Sequence, residues 1–189
     1  MFGWLAARSS SLCRRAPRAV VSQHARRIAP HALIDMLPGL GSVLYLHAAS
    51  DTAVPTVLPQ GLVVTQRACI PLLDVHWLVA VSVVTDDGPR EWCECVDLLG
   101  RTRARWYLLP DTDYLAWEAL TSDCATHRPT PVGKHLLRPD QASVVNFRLR
   151  ELAGMLLLEQ DNSVMLSSLS HRLAARIAHA ESAALSFQD

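Results

Sequence analysis

The chain has 189 residues, of which 50% are hydrophobic and 19% charged. That is enough apolar material to bury a core, and it excludes a disordered chain. Its 18 basic and 18 acidic side chains cancel, so there is no general attraction to nucleic acid or to an anionic membrane surface. The length suits one domain with an appendage.

The chain opens on an arm, residues 1–30, rich in arginine. Between Met1 and Ile34 there are Arg8, Arg14, Arg15, Arg18, Arg26 and Arg27 and no acidic residue. Three readings stay open: an organellar transit peptide, which has this composition, a flexible basic arm, or a misassigned start codon. No apolar run approaches the ~20 residues that span a bilayer.

Residues 31–122 read as one α+β unit. Short apolar or β-branched runs at Ser42–Leu46 and Gly61–Thr65 predict strands. His76–Thr85 is a longer run, closed by Asp86-Asp87-Gly88-Pro89. Glu91–Asp97 alternates, Leu99-Gly100-Arg101 turns, and Thr102–Leu109 returns, which is the turn chemistry of an antiparallel meander. Thr112–Leu120 reads as a short helix, with Thr112 or Asp113 as its cap.

Residues 123–139, with Pro129, Pro131 and Pro139, read as a linker. Residues 140–189 read as a C-terminal helical hairpin. Val145, Leu149, Leu152 and Leu156 recur at helical spacing, as do Leu166, Leu169, Leu173, Ile177, Ala180 and Ala184. Asp161-Asn162-Ser163 supplies the break between the two helices.

Four blocks in order then carry a resemblance. Ala32–Leu46 (ALIDMLPGLGSVLYL) gives a helix, an LP-x-LG turn and a strand. His76-Trp77 opens a long apolar strand, and Glu91–Leu108 (EWCECVDLLGRTRARWYL) gives strand, Asp-x-x-Gly turn and strand. Asp111–Leu120 (DTDYLAWEAL) gives an acidic cap and helix. Together residues 32–122 resemble one repeat of the bacterial haem-utilisation proteins of the HemS/ChuX type.

The resemblance implies an antiparallel β-sheet with flanking helices. It also implies cytoplasmic haem b (hemin) binding for iron acquisition, as a carrier or store, in a chain that forms a homodimer. Some members degrade haem, but no catalytic signature is legible here. Ala104-Arg105 stands where many members have His-Lys, and Cys93–Asp97 replaces an aromatic stretch. The competing reading is therefore a dimeric interaction or regulatory module that keeps the fold without haem.

Haem needs an axial donor, an apolar slot and cations for its propionates. His76 is the first candidate for the iron, because strand alternation sends it and Trp77 to opposite faces. The alternative is a histidine satisfied at a strand edge. His47, after the first strand, is a second candidate. Arg103, Arg105 and Tyr107 are two apart along one strand, which places them on one face as a clamp for carboxylates. An exposed, routinely charged strand face is the other reading. Cys93 and Cys95 also share a face; a soft-metal pair is possible chemistry, but buried core thiols account for them better. The five cysteines are odd in number and irregular in spacing, which argues against a disulfide framework and for a reducing, cytoplasmic compartment.

Overall fold

A computed structural model describes residues 19–48, 59–85, 88–122, 137–161 and 165–186. The chain runs β1 (Ala19–Arg27), α1 (Pro30–Met36), β2 (Val43–His47), β3 (Leu62–Val64), β4 (Trp77–Thr85), β5 (Gly88–Val96) and β6 (Thr102–Tyr107). It continues with α2 (Tyr114–Thr121), β7 (Gln141–Leu152), β8 (Met155–Asp161), α3 (Ser168–Glu181) and β9 (Ala184–Ser186). Single 3₁₀ stretches at Leu37–Leu40 and Arg67–Asp74 link these elements.

The strands form one nine-stranded sheet in the order β1-β4-β5-β6-β2-β7-β8-β3, with β9 added beside β7. All pairings are antiparallel except β3 with β8 and β9 with β7. The α+β class and the antiparallel meander β4-β5-β6 agree with the sequence reading. The Asp86-Asp87 half of the first turn, Cys13, Cys124 and most of the 123–139 linker lie outside the described residues. No helix among the described residues is long and apolar enough to cross a membrane.

The predicted C-terminal helical hairpin is corrected. Only its second helix exists, as α3; residues 141–161 form the β-hairpin β7–β8 instead. The physical reason lies in a second periodicity. Val145, Phe147 and Leu149 pack on the core, while Asn146, Arg148 and Arg150 alternate with them, and period two is a strand pattern. The spacing of 145, 149, 152 and 156 fits a helix, but period two holds through 145, 147 and 149 with polar residues between them, and Leu152 lies 59% exposed at the hairpin end.

Ala153 and Gly154 close the hairpin with φ of 51° and 77°. Two positive values in a two-residue loop are the type I′ turn that matches strand twist. β7 pairs with β2 through Val43↔Val145 to His47↔Gln141. The C-terminal segment is thus stitched into the sheet that holds the meander. The range read as a basic arm also contributes β1, whose register on β4 runs from Ala19↔Val84 to Arg27↔Trp77.

The sheet is covered on both faces. On one face α1, the two 3₁₀ stretches and α2 pack over Tyr45, Cys93, Cys95, Trp106, Val145 and Phe147. On the other, α3 lays Ala174, Ile177 and Ala178 over Leu44, Leu46, Tyr107, Ala142 and Val144. Further along that second face, Val79, Val81 and Val83 form a separate buried cluster with Trp77 and Trp92 against it. Asp113 caps α2 by accepting the Ala116 N–H at 2.9 Å.

Candidate functional site: a cleft at the end of β4 and β5

Where β5 ends, Asp97 builds a tight turn. Its Oδ1 accepts the N–H groups of Leu99 and Arg101, both at 2.9 Å, and its Oδ2 accepts Arg101 Nε–H at 2.7 Å. Gly100 takes φ +75°, a conformation glycine adopts at little cost. The turn leaves Leu98 and Leu99 more than half exposed, at 61% and 51%. With the backbone amides and the guanidinium all gathered on one buried carboxylate, the two leucines are held out rigidly.

The opposite wall comes from the end of the Arg67–Asp74 3₁₀ stretch and from His76. The His76 backbone is fixed on both sides: its N–H donates to Val96 O at 2.9 Å, and its carbonyl accepts Ile28 N–H at 3.0 Å. Its Nδ1 lies 3.0 Å from the Asp74 carbonyl oxygen. A carbonyl only accepts, so this bond places a proton on Nδ1, and in the neutral ring Nε2 is then the nitrogen with the lone pair. Between the walls is a cleft of about 460 Å³, lined by Pro59, Asp74, His76, Leu98, Leu99 and Arg101 among others. Burial raises the Asp74 carboxyl above its usual range, and Asp97 adds to this; Arg103, His76 and Arg101 oppose it.

The sequence-predicted residues divide into three places. His76 lines the cleft, and Trp77 packs away from it on the valine cluster, as alternation predicts. Arg103 does not share the setting of Arg105. The register shifts between Cys95 and Val96, pairing Cys95 with Ala104 but Val96 with Thr102. That bulge gives β6 one extra residue and breaks the period-two rule. Arg103 is buried, and its charge acts on Asp74.

Arg105 and Tyr107 do share a face, but beneath α3. Arg105 Nη1 donates to Glu181 Oε2 at 2.9 Å, and Tyr107 OH donates to Glu181 Oε1 at 2.8 Å. Arg105 Nε sits 3.3 Å from Glu94 Oε1. Burial works against the Arg105 charge, and Glu94, Tyr107 and Glu181 outweigh it. The clamp expected from the sequence therefore holds a carboxylate, and the carboxylate is the chain's own.

His47, at the end of β2, stacks on Tyr45 with ring centroids 5.2 Å apart and planes 17° apart. Its Nδ1 is buried without a hydrogen bond, and burial lowers its pKa. Cys69, Cys93 and Cys95 are buried in the core, and no disulfide joins them. Among the described residues no three His, Cys, Asp or Glu side chains are grouped to hold a metal ion.

Sequence reasoning missed Leu98, Leu99, Arg101, Asp74 and Glu181 as functional groups. The turn at Leu99, Gly100 and Arg101 is legible in the sequence, and the signal for its use as a wall is Asp97: an Asp four residues before an Arg around a glycine can gather both backbone amides and the guanidinium on one carboxylate. Nothing local could mark Glu181, whose partners stand 74 and 76 residues away. No family model and no curated protein matches the chain.

Proposed function

We propose that the chain is a haem-binding protein that carries or stores haem, with His76 as the axial donor. The observation that carries the reading is the His76 ring. Histidines that ligate metals donate their second ring N–H to a carbonyl or carboxylate, which fixes the tautomer and aims the other nitrogen. His76 Nδ1 is held in this way by Asp74 O, beside a cleft whose size falls within the range of small-molecule sites.

The remaining donor set suits haem b. Exposed Leu98 and Leu99 supply apolar contact for a porphyrin face. Arg101 uses Nε on Asp97, and its terminal NH₂ groups stand at the same wall for a propionate. A single imidazole beside two leucines fits an iron already held in a macrocycle. It does not fit a bare ion, which needs more protein ligands. The order of the four sequence blocks, leading into an antiparallel sheet with flanking helices, supports the same reading.

Titration of the full chain with hemin, read at the Soret band, tests it. Saturable binding is expected, with His76→Ala weakening it at least tenfold and changing the spectrum. Arg101→Gln is expected to weaken it by about 1.5–3 kcal/mol, the scale of a hydrogen bond to a charged group. A spectrum identical to hemin mixed with a neutral control protein sinks the proposal. The haem-free interaction module is then the better reading, and one observation already favours it: Arg105 and Tyr107 are engaged by Glu181.

A further inference from the structure

The clamp beneath α3 is separate from the His76 cleft and has its own cavity. Tyr107 both holds Glu181 and lines a space of about 250 Å³ between α3 and the sheet. The other walls of this space include Leu109, Pro110, Tyr114, Leu173 and Ile177. A pocket lined mainly by apolar side chains, with Arg90 and Glu91 also at its wall, thus shares with the clamp Tyr107, whose hydroxyl already binds a carboxylate oxygen. Arg105, on the same face and two residues away, supplies the charge.

We infer that this is a binding site for a small carboxylic acid with an apolar tail, and that Glu181 is its resident competitor. The ligand's carboxylate takes over Arg105 Nη1 and Tyr107 OH, and its tail enters the cavity beside Leu173 and Ile177. Displacement is feasible because one carboxylate replaces another on the same donors, so no charge is left buried without a partner. Glu181 suits release. It is the final residue of α3, directly before Ser182, which takes the left-handed conformation with φ 58°. A negative side chain at a helix C-terminus is opposed by the helix dipole. At its other end, α3 is anchored independently through Ser167 N–H on Asp111 Oδ2 at 2.7 Å. Beyond Glu181 the chain is held again by Ala184 N–H on Asp140 O at 2.9 Å and by β9 beside β7. Release therefore swings the Glu181 side chain out and loosens the cap at Ser182 while both ends of α3 stay attached.

Octanoate is the probe, titrated into the full chain by calorimetry, with octanol as the neutral counterpart. Octanoate is expected to bind saturably and at least tenfold more tightly than octanol. Glu181→Ala, which removes the competitor, is expected to tighten octanoate at least tenfold, and Glu181→Gln, which keeps the side chain's size, severalfold. Hydrogen exchange across residues 177–186 is expected to quicken when wild-type protein is saturated with octanoate. If Glu181→Ala fails to fold, Glu181→Gln and the wild-type exchange measurement carry the test. Equal octanoate affinity in wild-type and Glu181 variants overturns the inference, as does octanol binding as tightly as octanoate.

Discussion

At the scale of single residues, the buried polar groups differ in how fully they are matched, and His47 Nδ1 is among several buried atoms, Trp106 Nε1 and Asn146 Oδ1 included, that have no hydrogen bond. Asp97 accepts from the Leu99 and Arg101 N–H groups and from Arg101 Nε–H, and Glu181 accepts from Arg105 and Tyr107. For His47, burial depresses the pKa below the ordinary value of a histidine. The sign of the consequence follows. Above the unfolded-state pKa of about 6.5 the ring is neutral in both states and costs nothing. As pH falls, the unfolded chain takes up the proton first, so stability is lost from about pH 7 towards the depressed folded value. His47→Phe keeps the stack on Tyr45 and removes the titration. Chemical denaturation between pH 7.5 and 5 is expected to show a shallower decline for this variant than for wild type; an identical slope would assign the decline to other groups.

At the scale of elements, the β7–β8 hairpin shows how much a turn can carry. Ala153 adopts a left-handed φ that disfavours residues with a Cβ by about 1–2 kcal/mol. Asn at this place, followed by glycine, is the preferred type I′ pair. Ala153→Asn is therefore expected to stabilise the protein by about 0.5–1 kcal/mol, read as a rise in denaturation midpoint with an unchanged m-value. The same hairpin explains where the sequence was legible. The meander β4-β5-β6 could be read because the Asp-x-x-Gly turn and the alternation agree. The hairpin could not, because Ala-Gly is a weak turn signal and Val145, Leu149, Leu152 and Leu156 fit a helical period by coincidence. β1 was hidden by its arginines, since a basic composition says nothing about backbone pairing. The site divides in the same way: His76 follows from strand alternation, while the separation of Arg103 from Arg105 depends on one bulged residue. Bulges leave no mark in a hydrophobic pattern.

At the scale of the molecule, the sheet has a joint at its middle. β1, β4, β5, β6 and β2 form one wing and β7, β8, β3 and β9 the other, and β2–β7 hydrogen bonds connect them. The joint pairs Val43 with Val145, residues far apart in the chain, and such contacts form late because loop closure must precede them. On a ribosome, the strands up to β6 are made long before β7 emerges. Throughout that interval β2 offers a bare edge of buried-type side chains, Val43, Leu44, Tyr45 and Leu46, the kind of edge that recruits other strands. A fragment stopping at residue 136 is accordingly expected to aggregate when expressed, whereas the full chain, which adds β7 on that edge and α3 over Leu44 and Leu46, is expected to remain dispersed in a sedimentation assay. The unfinished chain, more than the finished one, is the form that needs a chaperone.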